Sequence, residues 1–427
     1  MTQDPEHDAT PFSQLEPPAV SSTGLSGEDR RRIFLGNGEL ADNVDVQRNL
    51  ATFGCDLSLI EFPEWQRVKH VHRLHPYLGK FIPQLVELFL RRFFEPGQTV
   101  LDPFAGSGTT LVEAAALGIH SLGVELSPFN CMIIRAKTRH HDLPELRRQV
   151  RDAFARLADF SQALGEDGRL PFHSRLETDS DYLNAWIAPQ ALQEILFYRS
   201  ILPDYEEQEV LRVILSRAAR SCRLIPHYDL ARPKKPIKPD EEYWCVKHKR
   251  MCRPITSGLK FFRRYSRDTL SRIEEFGKLR SDAEATILEG DARRPPIPEG
   301  TRLDGVFTSP PYVGMIDYHE QHRYAYELFP DLERRDSLEI GPMSLGKSKK
   351  AKRAYQDDMA TVLGSIVPFL KPEGKVFVVA NDRHDLYPAI GEAAGLRLLD
   401  TFHRPVPMRT ERDSATYFES IFHFVPA

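Results

Sequence analysis

Thr99-Val-Leu-Asp-Pro-Phe-Ala-Gly-Ser-Gly-Thr-Thr110 decides the fold. It begins as a short apolar run closed by an acid and ends by opening a helical pattern, Thr110-Leu-Val-Glu-Ala-Ala-Ala-Leu117, which Gly118 closes. Between them, Phe104-Ala-Gly-Ser-Gly108 supplies a turn in which glycine tolerates φ > 0 and lets the backbone approach a ligand closely. The helix start adds free N–H groups. Ser121-Leu-Gly-Val-Glu125 is a second apolar run ending in an acid. Strand, glycine loop, helix, strand and acid, in that order, make the first half of a Rossmann-like α/β unit, whose acid accepts hydrogen bonds from ribose hydroxyls. The expected cofactor-binding residues are therefore Asp102, Phe104, Ala105, Gly106, Gly108, Thr109 and Glu125. Asp291, closing a third run (Thr286-Ile-Leu-Glu-Gly-Asp291), joins them to meet an adenine amino group or nearby backbone. The loop lacks both the third glycine of the dinucleotide fingerprint and the Gly-Lys-Ser/Thr of a phosphate-cradling loop, which favours a ligand without a polyphosphate. A glycine turn in an ordinary α/β protein is the plainer alternative, but it leaves the three acids in register unexplained.

Outward from this stretch, Ile82 to Phe94 carries Leu85, Leu88 and Phe89 at helical spacing and stops at Glu95-Pro96-Gly97. After Glu125 the strand signals lapse and the chain reads as mostly helical from Asp142 to Ala283, broken by the proline-rich Arg232–Pro239. They resume at Thr286, at Leu303-Asp-Gly-Val-Phe-Thr-Ser309, at Gly374-Lys-Val-Phe-Val-Val-Ala380 and at Tyr417-Phe-Glu-Ser-Ile-Phe-His-Phe424. The expected organisation is a disordered tail (1–40), a first half of an α/β sheet domain (41–141), a helical, basic insertion (142–283) and a second half of the sheet domain (284–427).

The bulk numbers suit two soluble domains: 427 residues, 41% hydrophobic and 28% charged. No apolar run is long enough for a membrane span, and the N-terminus has no charged-then-apolar signal pattern. Five scattered cysteines argue against a disulfide framework and for a reducing, cytoplasmic setting. A net charge of −4 excludes a polycation but not a positive face.

Thr308-Ser-Pro-Pro-Tyr312 is the second informative stretch. An exocyclic amino nitrogen on a base is a poor nucleophile because its lone pair is delocalised into the ring. Two acceptors holding its two hydrogens favour the tetrahedral geometry that attack requires. Ser309 offers a hydroxyl oxygen and Pro310 a carbonyl, held by the restricted Pro310-Pro311 backbone, while Tyr312 offers a face for stacking. These four are the candidate catalytic residues. A base inside a duplex is out of reach of such a site and has to be flipped out. The plain alternative is a strand-ending turn with a core tyrosine.

Taken together, the glycine loop, the Glu125 strand end, Gly290-Asp-Ala292 and Thr308–Tyr312 resemble the DNA amino-methyltransferases, class I enzymes that use S-adenosylmethionine. The resemblance covers roughly residues 70–135 and 284–425. It implies a Rossmann-like sheet flanked by helices, S-adenosylmethionine as cofactor and DNA as partner, with a restriction endonuclease of the same site as a second possible partner. Serine before Pro-Pro-Tyr is typical of the cytosine-N4 members, and Asp or Asn of the adenine-N6 members. His75-Pro-Tyr-Leu-Gly-Lys-Phe-Ile-Pro83 resembles the segment that closes over the cofactor's methionine end, which points to Lys80. A mid-chain insertion is where part of the family carries target recognition, although here it precedes Asp291 rather than the catalytic turn.

The expected nucleic-acid contacts are Lys234, Lys235, Lys249, Arg250, Arg263 and Arg264, interleaved with aromatic residues, and Lys347, Lys349 and Lys350 beyond the catalytic turn. A charge run alone is more often a solvated face. Cys245-x-x-His248-x-x-x-Cys252, with Cys222 or His227 upstream, loosely suggests a zinc site, but the spacing fits no standard pattern and direct methyl transfer needs no metal, so none is expected. Rival readings are adenine-N6 methylation, methylation of RNA or protein glutamine, and a regulatory DNA binder on an inactive fold.

Overall fold

Apolar runs separated by amphipathic helices fold here as one twisted sheet with helices on it. The computed structural model describes residues 49, 51–54, 57–59, 68–77, 82–164, 176–227, 234–314, 316–406 and 417–427. Lys80 and the expected tail over 1–40 lie outside the described residues. The chain divides into two units, Met1–Leu59 and Ile60–Ala427. In the first, the structure describes a helical turn at 51–53 and a turn at 57–58. The sheet and its helices belong to the second.

Helix α1 (Pro83–Phe93) leads into β1 (Thr99–Asp102), α2 (Thr109–Ala116), β2 (His120–Glu125) and α3 (Pro128–Thr138). A helical stretch comes next: α4 (Leu143–Ala163), α5 (Asp181–Trp186), α6 (Pro189–Ser200) and α7 (Gln208–Cys222). It continues through a two-stranded ribbon, β3 (Tyr243–Cys245) and β4 (Arg250–Cys252), into α8 (Leu259–Gly277). The sheet then resumes with β5 (Ala285–Glu289) and β6 (Leu303–Thr308). Short α9 (Tyr318–Gln321) and α10 (Arg323–Leu328), then α11 (Lys349–Ile366), β7 (Leu370–Ala380), α12 (Tyr387–Ala393), β8 (Leu396–Val406) and β9 (Tyr417–Pro426) complete the chain. Local chemistry sets many helix starts. Proline sits in the first turn of α1, α3, α4 and α6, where its missing N–H costs nothing. Ser127, Asp142, Ser180 and Ser348 each accept a backbone N–H as N-caps.

The sheet order is β5-β2-β1-β6-β7-β9-β8. The five strands from β5 to β7 are parallel, and β9 and β8 run antiparallel at the far edge. Chain order reverses at β1, which has β2 on one side and β6 on the other. In such sheets a ligand sits outside the carboxyl ends of the strands at that point. The glycine loop, Glu125, Asp291 and the Ser309 turn all leave the sheet at these ends.

Among the described residues two large apolar clusters hold the layers. Helices α4 to α8 share one with α2 and α3, so Val112, Phe129 and Ile133 lie in the same cluster as Val210, Ile214 and Phe262. The other seats α11 and α12 on β6, β7 and β9 through Met359, Leu363, Ile390, Val306, Val376 and Phe424. Among the described residues no helix is long and apolar enough to cross a membrane.

Candidate active site

Asp102 is buried beneath the loop rather than in the cleft wall. Its Oδ1 accepts from Phe104 N (3.1 Å) and Thr308 Oγ1 (2.7 Å), and its Oδ2 accepts from Thr110 Oγ1 (2.7 Å). One carboxylate thus ties the end of β1 to the start of α2 and to the last residue of β6. Burial pushes its carboxyl up to about 6, against the pull of those three donors. The loop above it turns through Gly106 (φ +52°) and Gly108 (φ +80°). A Cβ at Gly108 would lie 2.9 Å from Ile134 Cγ1, so both conformation and space demand glycine there. Below the loop, the buried Lys137 ammonium donates to the Ser107 carbonyl.

The cleft over this loop encloses about 810 Å³ of empty space, mouth included. Phe104, Ala105, Gly106, Thr109, Glu125, Asp291, Ser309 and Pro311 line it, eight of the residues expected from sequence. Glu125 Oε2 accepts from Gly106 N (2.7 Å), and Oε1 accepts from Ser127 N (2.9 Å) and Asn130 Nδ2 (3.2 Å). A carboxylate accepts about four hydrogen bonds, so a ligand hydroxyl still finds an open direction. Burial raises the Glu125 carboxyl to about 7, with those donors opposing the rise. Asp291 also pairs with a neighbour. Arg293 Nε and Nη2 clamp its carboxylate at 3.0 and 2.7 Å, and Arg293 also reaches Asp358. Burial alone would raise the Asp291 carboxyl; the Arg293 hydrogen bonds outweigh it and hold it below the ordinary range.

The sequence reading gives the opposite wall no role. Tyr77 stacks on Tyr318 (centroids 5.8 Å apart), and its hydroxyl lies 3.2 Å from where a Cβ on Gly106 would sit. His319 and Glu339 close the rim, Glu339 Oε1 accepting from the His319 backbone at 2.8 Å and meeting its Nδ1 at 2.5 Å. Tyr77 belongs to the segment that drew attention to Lys80. Glu339 sits in an irregular stretch that carries no sequence signal.

At the catalytic turn the acceptors differ. Ser309 lines the cleft, and its hydroxyl has no partner among the described residues, nor has the Pro310 carbonyl. The Pro311 carbonyl, by contrast, accepts from Tyr355 Oη at 2.9 Å. Tyr312 faces a neighbouring cavity with Lys347, Tyr355, Asn381, Asp382 and Tyr387, and its hydroxyl donates to Glu419 at 3.1 Å. Glu419 in turn pairs with Arg404, one of the most deeply buried side chains in the protein.

The other expected nucleic-acid residues are exposed. Lys234, Lys235, Lys249 and Arg250 lie on and before the ribbon, and Arg263 and Arg264 on α8, over the Phe154 and Tyr265 rings. Lys349 and Lys350 open α11. Cations at a helix N-terminus oppose its dipole, an arrangement that an anion relieves.

The chain resembles known proteins in the same sense. A family model described as DNA methylase, covering N6 and N4 enzymes, matches residues 25–136. The Type II methyltransferase M.MjaII of Methanocaldococcus jannaschii is 40% identical over 439 aligned positions, covering 86% of this chain and 82% of that one. M.MvaI of Kocuria varians is 25% identical over 36% of this chain and 34% of its own. M.BsoBI of Geobacillus stearothermophilus is 25% identical over 60% and 52%. Among solved structures, the rRNA methyltransferase aviRa from Streptomyces viridochromogenes aligns over 88% of this chain and 92% of its own, at 10% identity and a TM-score of 0.32. At that score the likeness carries no argument, and the fold stands on its strand order. With most of both chains aligned to M.MjaII at that identity, this protein belongs to the DNA amino-methyltransferase family.

Proposed function

We propose that this DNA methyltransferase acts on the exocyclic N4 of a cytosine flipped out of duplex DNA, with S-adenosylmethionine as donor. The observation that carries this reading is Ser309 in the wall of the Glu125 cleft, its hydroxyl and the neighbouring Pro310 carbonyl both without a partner among the described residues.

The cleft chemistry suits that cofactor. Glu125 offers an acceptor to a ribose hydroxyl, and Phe104, Leu338 and Ile340 give apolar walls. Among the described residues no Lys or Arg lines it, which disfavours a polyphosphate. When bound, S-adenosylmethionine supplies an electrophilic methyl group. The chain's own part is orientation. Ser309 and Pro310 each accept one amino hydrogen, which holds the nitrogen lone pair away from the ring and toward the cleft. Serine, uncharged at the first acceptor position, supports cytosine over adenine within the family resemblance. Tyr312 stacks on the flipped base in the neighbouring cavity, and Lys347 there neutralises a flanking phosphate. The segment over 142–283, with its exposed Arg263, Arg264, Lys249 and Arg250, supplies further backbone and base contacts. A restriction endonuclease that cuts the same site is the expected partner.

The test is transfer of labelled methyl to duplex DNA, with tRNA and protein as comparison substrates, followed by digestion to nucleosides and mass identification. N4-methylcytosine is expected. N6-methyladenine as the product, or label in tRNA or protein alone, overturns the assignment.

A further inference from the structure

Between α7 and α8 the structure gathers four metal-ligand side chains that methyl transfer does not use. His227, Cys245, His248 and Cys252 each place a ligand atom within 4.8 Å of the others. We propose that they bind one structural zinc ion, against the expectation drawn from their spacing.

The distances carry the argument. Zinc bonds of about 2.3 Å to sulfur and 2.0 Å to nitrogen, at the tetrahedral angle, place S and N about 3.5 Å apart. His248 Nδ1 lies 3.6 Å from Cys245 Sγ and 3.5 Å from Cys252 Sγ. Both match the edges of a zinc tetrahedron. His227 supplies the fourth corner. Its ring sits 5.0 Å from that of His248, and its Nδ1 is buried with no hydrogen-bond partner among the described residues. Cys222, the other upstream candidate, is buried in the helical core instead.

The local backbone is built to present these groups. Lys249 N donates to the Cys245 carbonyl at 2.7 Å, and Lys249 adopts φ +53°, a left-handed turn uncommon for a non-glycine residue. That turn sets Cys245 and His248 on one side, while β4 returns Cys252 to them. Tyr243 Oη accepts the His227 N–H at 3.0 Å and brings the upstream ligand in. The ribbon has little else to hold it. Its strands are three residues each, and Trp244, Val246 and Met251 are 57%, 62% and 53% exposed. A two-stranded hairpin without a core is marginal in water, which a metal crosslink corrects.

Two thiolates and two imidazoles select zinc over magnesium or calcium, and four protein ligands leave no position for a reacting water. The other histidine–carboxylate cluster, His70, His72 and Glu113, does not qualify, because the Lys69 ammonium already sits 2.8 Å from Glu113.

Metal analysis of the full chain purified without chelator is expected to find about one zinc per chain. Replacing it with Co²⁺ should give the thiolate charge-transfer and d–d bands of a tetrahedral two-sulfur site. Cys245→Ser with Cys252→Ser should lose both signals while still binding S-adenosylmethionine. If that variant fails to fold, the Co²⁺ spectrum of the unmodified chain decides the matter. Less than about 0.1 zinc per chain after zinc supplementation, or a Co²⁺ spectrum without thiolate bands, overturns the proposal. Neither readout depends on which base is methylated.

Discussion

The two halves of the active site are built from contacts of different reach. Around the cofactor cleft, Glu125 is held by residues 2, 5 and 19 positions away. Around the catalytic turn, Pro311 is held from 44 positions away and Tyr312 from 107. Glu125's own partners in the first half are thus mostly local. The second is tied to α11 through Tyr355 and to β9 through Glu419. Binding without transfer is therefore the expected failure when long-range packing is damaged, and transfer without tight binding when the local half is.

The sharpest way to break the comparison is Glu419→Gln. It leaves the Arg404 guanidinium buried beside a neutral amide, with its Nε and Nη2 already lacking partners among the described residues. Removing one partner of a buried ion pair costs about 3–5 kcal/mol, which denaturant titration would read. Arg404→Met combined with Glu419→Leu should recover much of that loss. If Glu419→Gln is as stable as the parent, the ion pair does not anchor this half.

Ser309→Ala is next. Losing one preorganised partner of the reacting group costs about 10²–10³ in kcat. Cofactor affinity by calorimetry should stay within about two-fold, because Glu125 and the glycine loop are untouched. Equal losses in both would merge the two halves into one.

The same difference in reach explains what the sequence disclosed. A strand, a glycine loop and an acid are legible because neighbours make their geometry, so the parallel sheet, Gly106, Gly108 and Glu125 can be read without coordinates. Sequence puts Asp102 in the right loop, but its partners Thr110 and Thr308, one of them 206 residues away, turn it under the loop. Asp291 lines the cleft as expected, but its clamp by Arg293, two residues on, is visible only in the structure. Glu339 and Arg404 have no local pattern at all. Spacing leaves the fourth metal ligand open between Cys222 and His227, because α7 and the ribbon meet only in three dimensions.

The local half has its own test in pH. Glu125 has a carboxyl raised to about 7, above its ordinary 4.5, so below pH 7 the free chain holds a proton there. A ribose hydroxyl donates to the ionised form, so cofactor binding must expel that proton at low pH. Affinity is expected to be flat above pH 7 and to fall by up to about tenfold per unit below it. Glu125→Gln should flatten the profile and weaken binding by about 10- to 100-fold, the worth of a hydrogen bond to a charged group. A profile unchanged by the substitution would remove Glu125 from the binding site.

The smallest expected effect is the most discriminating. Tyr355 Oη donates to the Pro311 carbonyl and meets Tyr387 Oη at 2.6 Å, so Tyr355→Phe removes the tether on that carbonyl. The acceptor that matters is the carbonyl before it, on Pro310. A residue preceding proline is confined to extended ψ, and Pro310 is itself a proline, so covalent geometry alone fixes where that carbonyl points. Losing the tether should then cost about 1 kcal/mol, a roughly five-fold drop in kcat with cofactor affinity unchanged. A loss as large as that of Ser309→Ala would mean that docking of α11, and not the consecutive prolines, aims the acceptor.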